Sequence, residues 1–254
     1  IIDHKVEFLF CTPTYALRLA EVARESGIDL SSSSVNKIIV AGEPGGSVAG
    51  VRESIRKEWG WAQVFDHYGM TEVGPVAYET PGGEGGLRII LESYLAEVVR
   101  PGGDEAVEDG SEGELVLTTL GRVGCPVLRY RTGDLVRPLR GEDDRGQPTF
   151  DLAGGILGRV DDMVVVRGVN LYPSSVDAIV RRFGEVTEYQ VSIDESSSMT
   201  ELSMKVEASA EVAASIEKAL TEAFSLRIPV EAVETGTLPR FEMKARRWIR
   251  SSFE

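Results

Sequence analysis

"VNKIIVAGEPGGSVAGVRESIRKEWGWAQVFDHYGMTE", residues 35–72, carries the order of elements that decides the fold. Lys37 to Ala41 is an apolar run of strand length that stops at a Gly- and Pro-rich turn. "SVAGVRESIRKEW" (47–59) has apolar residues at helical spacing, and "AQVFDHYG" reads as a second short strand. Strand, turn, helix, strand is the order of a parallel α/β layer, because parallel neighbours need a crossover connection. Upstream, "PTYALRLAEVARES" (13–26) repeats the helical spacing with Leu17, Ala20, Val22 and Ala23, and ends at Gly27.

After Pro81 the texture changes to glycines, acids and short β segments such as "GELVLTTL" and "CPVLRYRTGDLV". These predict an antiparallel sheet or small barrel attached to the α/β layer, with "GEDDRGQP" (141–148) as a loop. From about Gly158 the pattern changes again. "DMVVVRG" reads as a strand, and "PSSVDAIVRRF" as a helix with Pro173 at its start. "EYQVSID" and "ELSMKVEA" read as paired strands, "AEVAASIEKALTEAFS" as a helix and "VEAVET" as a last strand. The expected fold is an α/β large-domain fragment with an appended antiparallel β sub-domain over residues 1–160. A small α+β C-terminal domain follows over 161–254.

The chain has 254 residues, 42% of them hydrophobic, enough for a substantial core. No run approaches eighteen apolar residues, and the start, with Asp3, His4, Lys5 and Glu7, is no signal peptide, so no membrane partner is expected. Two cysteines, Cys11 and Cys125, make no disulfide framework and point to a cytoplasmic protein. A net charge of −14 argues against nucleic acid as a partner, since phosphate neutralisation needs clustered bases. From Glu92 to Glu114 there are eight acids against Arg100. The tail reverses this, with Arg240, Lys244, Arg246, Arg247 and Arg250 against two acids. A basic tail reads first as a solvated helix face; the alternative is a mobile lysine brought to a phosphate. The absence of an initiator methionine predicts part of a longer chain, or a processed one.

Five strings fall at loops: "AGEPGG" (41–46), "DHYGMTE" (66–72), "YRTGD" (130–134), "GRVDDMVVVRGVNLYP" (158–173) and "PRFEMKARR" (239–247). "AGEPGG" is a turn, or a small-residue surface for a flat base; no lysine follows, so it is not a Walker-type phosphate loop. In "DHYGMTE" Tyr68 offers a ring for stacking, Thr71 a hydroxyl for a phosphoryl oxygen, and Glu72 a carboxylate of the kind Mg²⁺ takes beside phosphate oxygens. Asp134 either caps a turn or accepts from both hydroxyls of a ribose. His67 reads as structural. With only His4 besides, neither a histidine-centred triad nor a zinc site is available, and neither cysteine has a catalytic partner.

Taken together and in this order, the strings resemble the adenylate-forming superfamily. "AGEPGG" with "DHYGMTEVGP" is most similar to its phenylacetate–coenzyme A ligase group, whereas "YRTGD" and "GRVDDMVVVRGVN" are shared more widely. The resemblance implies an ATP-dependent ligase that uses Mg²⁺ and coenzyme A and activates an aryl-acetic acid as its adenylate. It implies ATP/AMP contacts from Gly42, Glu43, Pro44, Asp66, His67, Tyr68, Gly69 and Met70, with Gly42, Glu43 and Pro44 flanking the adenine, Asp66 bonding its amino group and Tyr68 stacking on it. Thr71 is implied at the α-phosphate, Glu72 at the magnesium, Asp134 at the ribose with Arg159 nearby, and Lys244 as the catalytic lysine. Asp161 is implied as a hinge, and Arg167 and Gly168 as coenzyme A contacts. Tyr15, Ala41, Val73, Gly74 and Pro75 are implied as the acyl pocket. The superfamily's Ser/Thr/Gly-rich phosphate loop with its lysine has no counterpart here, since "SSSSVNK" lacks glycine. Two other readings stay open: a module that binds AMP or coenzyme A without completing adenylation, and an enzyme that loads a carrier protein. The acid stays open among phenylacetate, a hydroxylated analogue, benzoate and indoleacetate.

Overall fold

A computed structural model describes residues 1–80, 85–194, 200–241 and 244–251. The chain divides into two compact units, Ile1–Asp161 and Asp162–Glu254.

The first unit opens with β1 (Phe8–Cys11), α1 (Pro13–Glu25), β2 (Lys37–Val40), α2 (Ala49–Glu58) and β3 (Gln63–Met70). The three strands pair in parallel, in the order β1, β2, β3. Each crossover is a helix, as the sequence predicts. The Thr12 side chain accepts from the Tyr15 N–H and Pro13 pre-sets the first turn, so α1 begins there. It ends before Gly27, which sits at φ +70°. Its buried face is Pro13, Ala16, Ala20 and Ala23. These small residues let Trp59, at the end of α2, reach across and donate from its indole N–H to the Ala16 carbonyl at 3.1 Å.

The chain then turns antiparallel through β4 (Gly74–Tyr78), β5 (Leu87–Ile89), β6 (Tyr94–Val99), β7 (Gly113–Thr119) and β8 (Tyr130–Val136). After these come β9 (Pro138–Glu142), β10 (Pro148–Leu152) and β11 (Gly158–Arg159). The expected separate sheet is divided in two. β4, β5, β10 and β9 extend the parallel strands into one seven-stranded mixed sheet, while β11, β8, β7 and β6 form a four-stranded sheet of their own. The 141–148 segment is shorter as a loop than predicted, because β9 and β10 pair through both of its ends, Gly141↔Thr149 and Glu142↔Pro148. Asp143 accepts from the Arg145 and Gln147 N–H groups and makes the turn between them. The change of texture at Pro81 lies outside the described residues.

The second unit holds β12 (Val164–Val166), β13 (Val169–Leu171), α3 (Pro173–Val180), β14 (Tyr189–Asp194), β15 (Glu201–Glu207), α4 (Ala210–Phe224), β16 (Val230–Val233) and β17 (Trp248–Ser251). "DMVVVRG" is one arm of a hairpin rather than a lone strand: Val166 pairs with Val169 across Arg167 and Gly168. The main sheet runs β16, β15, β14, β17. The basic tail is therefore not a helix face. It returns as β17, parallel to β14, with Trp248 opposite Val191.

Candidate functional site

β3 runs out of the core into the predicted phosphate segment. Its pleat buries Asp66 and Tyr68 on one side and leaves Phe65 and His67 half-exposed. A register shift between Tyr68 and Gly69 bends the strand end. Gly69 belongs there, since a Cβ would lie 2.7 Å from the Gly74 carbonyl. Met70 is half-buried, and Thr71 and Glu72 follow in an exposed turn.

The Tyr68 hydroxyl donates to Asp134 Oδ2 at 2.6 Å, joining residues 66 positions apart. Asp134 lies on β8, and Arg159 stands directly opposite it on β11. Cross-strand partners share a face, so Arg159 Nη1 donates to Asp134 Oδ1 at 3.3 Å. The same guanidinium binds Asp161 at 2.8 and 3.0 Å, which holds the Asp161 carboxyl below its ordinary range. Thr132, two residues before Asp134, fixes the strand by donating to the Leu115 carbonyl and accepting from the Asp134 N–H. Burial pushes the Asp134 carboxyl upward, against the hydrogen bond from Tyr68 and the charge of Arg159. Burial, reinforced by the Asp134 charge, keeps the Tyr68 phenol protonated.

Asp66 sits at the end of "AGEPGG". The Ser47 hydroxyl donates to Oδ2, and the His67 N–H donates to Oδ1 at 3.0 Å. A side chain at Gly46 would collide with the Asp66 carboxylate, and one at Gly155 with Ser47. Burial raises the Asp66 carboxyl to about 6, despite Ser47, the His67 N–H and Arg52. Beneath it, Arg52 on α2 forms a fork with Glu79 at 2.7 and 2.9 Å and donates to the carbonyls of Gly46 and Val64. Glu79 in turn accepts from the Asp66 N–H at 2.9 Å. One buried ion pair thus ties the glycine turn, β3 and the segment after β4 into a rigid seat for Asp66.

The other predicted adenine contacts divide. Gly42, at φ +91°, and Pro44 are exposed. Glu43 is turned toward α1, where its Oε1 accepts from the Thr14 N–H at 2.7 Å, an anion at a helix N-terminus. Of the predicted acyl contacts, Tyr15 is partly exposed on α1 and Ala41 is half-buried just after β2. Val73 is buried in the core beside Tyr68 and Tyr94, and its carbonyl accepts from the Tyr94 hydroxyl at 2.6 Å. Gly74, at φ +87°, is half-buried and Pro75 is exposed.

Arg167, Gly168 and Lys244 belong to the second unit. Arg167 and Gly168 are the two central residues of the β12–β13 turn, at φ 50° and 82°. Positive φ at both is the type I′ geometry, which asparagine or glycine fills more easily than arginine. Arg167 Nη2 donates to Glu201 at 2.9 Å. Lys244 is exposed; Glu242 and Met243, also in "PRFEMKARR", lie outside the described residues.

Ser47, Arg52, Glu79 and Thr132 escape sequence reasoning, although they position the predicted residues. Arg52 follows buried Val51, at the edge of the α2 apolar stripe, and Glu79 follows the buried pair Val76 and Ala77. A charge beside an apolar run was the available signal. Arg122 is a fifth: its Nη2 lies 3.4 Å from the Thr71 carbonyl, and Nη1 lies 3.0 Å from where a Gly74 Cβ would stand. Among the described residues no group of three or more His, Cys, Asp or Glu is placed to hold a metal ion, and no helix is long and apolar enough to cross a membrane.

Comparison with known proteins agrees with these observations. The AMP-binding enzyme family matches residues 1–121, and the AMP-binding enzyme C-terminal domain matches residues 168–251. The phenylacetate-coenzyme A ligase of Thermus thermophilus is 36% identical over 212 residues, covering 82% of this chain and 47% of that protein. That of Escherichia coli is 32% identical over 260 residues, covering 96% and 58%. A solved structure of 2-hydroxyisobutyryl-CoA ligase in the postadenylation state, in complex with 2-HIB-AMP, is similar with a TM-score of 0.90 and 31% identity over 98% of this chain and 55% of that one. The chain spans about half the length of the curated relatives it matches. Family matches across both units and relatives above 30% identity lead to one conclusion: the chain belongs to the AMP-binding enzyme family.

Proposed function

We propose that this chain is the part of an ATP-dependent acid–thiol ligase that binds the adenylate and carries the catalytic lysine. The acid is an aryl-acetic acid such as phenylacetate, and the acceptor is coenzyme A. The observation that carries the reading is the hydrogen-bonded set Tyr68, Asp134 and Arg159, with Asp66 on the same buried face of β3 as Tyr68 and an exposed hydroxyl and carboxylate at Thr71 and Glu72 just after that strand. The relatives named phenylacetate-coenzyme A ligase support the choice of acid and acceptor.

In the first step a carboxylate oxygen attacks the α-phosphorus of ATP. The new P–O bond forms as the bond to pyrophosphate breaks, giving acyl-adenylate. No general base is needed, because a carboxylic acid with pKa near ~4 is already ionised at neutral pH. The barrier is the approach of two anions, which positioning and fixed positive charge reduce. Asp66, seated by Ser47 and the Arg52–Glu79 pair, accepts from the adenine amino group. Asp134 accepts from the ribose hydroxyls. Tyr68 and Arg159 hold that carboxylate in place and keep it from turning away. Thr71 donates to the α-phosphate. Glu72 is the group that would hold Mg²⁺, and a single exposed carboxylate suits a cation that takes most of its ligands from phosphates and water. Mg²⁺, when bound, neutralises phosphate charge. Lys244 brings a positive charge to the acid and phosphate oxygens.

In the second step the sulfur of coenzyme A attacks the acyl carbon, its thiol proton passes to solvent, and AMP leaves with the bonding electron pair, giving the thioester. Arg167 and Gly168 face the pantetheine arm, and Asp161 marks the hinge between the two steps. The test is acid-dependent pyrophosphate release by the full-length protein, with the thioester identified by mass. Release with phenylacetate and a thioester product support the reading. AMP binding without either product contradicts it.

A further inference from the structure

Two buried ion pairs flank Lys244 in the chain. Before it, Arg240 forms a fork with Glu207, Nη2 to Oε2 at 2.7 Å and Nη1 to Oε1 at 3.0 Å. After it, Arg247 forms a fork with Glu188, Nε to Oε1 at 2.6 Å and Nη2 to Oε2 at 3.1 Å. Glu207 is wholly buried and Glu188 is 6% exposed. The two glutamates are neighbours, since the Glu207 N–H donates to the Glu188 carbonyl at 2.8 Å.

Each clamp has further support. Glu207 Oε1 also accepts from the Leu238 N–H at 2.8 Å. Burial alone would raise its carboxyl, but Arg240 and backbone N–H donors outweigh this and hold it below the ordinary range. The Arg247 guanidinium lies 5.3 Å from the Tyr189 ring centre, and its carbonyl accepts from the Val191 N–H at 2.7 Å where β17 joins β14. A fold that needed only to close its sheet edge has β17 for that. Two desolvated charge pairs are weak devices for stability, since an apolar pair of similar volume does as well. They are strong devices for fixing geometry, because a planar fork accepts few orientations.

We propose that Glu188 and Glu207 are positioning residues for Lys244: through Arg240 and Arg247 they anchor the chain before and after the lysine, so that it is presented for adenylation. This rests on the reading of Lys244 as the lysine of the first step. It predicts an effect confined to that step, because the thioester step does not use Lys244.

The test compares Glu188→Gln, Glu207→Gln and Lys244→Ala in the full-length protein. Adenylation is followed by acid-dependent pyrophosphate release, and thioester formation by supplying preformed aryl-acetyl adenylate and coenzyme A. Glutamine keeps the shape of each clamp and removes its charge. Adenylation turnover is expected to fall about tenfold to a hundredfold in each glutamine variant, the size of an ångström-scale misplacement. The KM for ATP and the thioester step should stay near the unaltered values. Arg240→Lys and Arg247→Lys, which keep the charge but lose the fork, should show the same split more mildly and guard against variants that fail to fold. Hydrogen exchange of the amides of residues 244–247 should accelerate in every clamp variant. If Lys244→Ala abolishes adenylation while the glutamine variants keep it, or lose both steps equally, the clamps are merely structural and the proposal is wrong. If Lys244→Ala leaves adenylation intact, the reading of the lysine fails and the proposal fails with it.

Discussion

Asp66 is the residue whose environment speaks most directly. Burial lifts its carboxyl to about 6. The folded value lies above the ordinary one, so its contribution to stability is fully present below about pH 4 and is lost as pH rises through 6. The base recognition proposed for Asp66 runs the other way, because the ionised form is the better acceptor for an amino group. Adenosine affinity should fall as pH drops from 7.5 to 5, and Asp66→Asn should flatten the profile; adenosine is chosen because it has no phosphate to titrate. At Tyr68 the hydroxyl donates to Asp134, and Tyr68→Phe leaves a buried carboxylate short of a donor. A loss of about 1–3 kcal/mol in urea unfolding and a weaker AMP complex are expected. Tyr68 and Asp134 stood out in the sequence as a ring and a carboxylate in loop-like strings, and Asp66 only through the family resemblance. Arg52 and Glu79 were not legible there, because a buried ion pair has no spacing rule: its partners come from a helix and from the far end of a strand, and only the folded chain brings them together.

Among the elements, β8 shows how a turn-like string works inside a strand. "YRTGD" lies within β8 rather than at its end. Gly133 is at φ +74°, and a Cβ there would stand 2.7 Å from Arg159 Nη2. Gly133→Ala should therefore cost about 1–3 kcal/mol from the backbone alone and displace Arg159 from Asp134. Thermal unfolding reads the first effect and AMP titration the second. The helices and the strands β2 and β3 were readable because their apolar pattern reports burial, and Gly27 marks where the first helix stops, whereas β1 was not read. β17 was not readable. "WIRS" is too short for a period, its neighbours are basic, and its strand state comes from pairing with β14 rather than from its own residues. The same holds for β9 and β10, whose polar residues hid a hairpin in what read as a loop.

For the molecule as a whole, each unit carries its own core. Val164, Leu171, Val191, Met204, Ile216 and Leu220 pack together in the second unit, and the two clusters of the first unit share no residue with it. Residues 162–254 expressed alone should give one cooperative urea transition; a broad, non-cooperative loss of signal would show that the second unit depends on the first. In the sequence the texture changes near Gly158, whereas the partition of the antiparallel strands between two sheets was set by pairing across long separations that no local pattern records. Segments distant in the chain are proposed to meet as an AMP site in the first unit. Calorimetric titration of AMP into the 254-residue chain and its Asp134→Ala variant tests it most directly. Saturable binding is predicted for the chain, weakened about tenfold to a hundredfold in a variant that keeps its circular dichroism. No binding, or binding indifferent to the loss of Asp134, would contradict the account.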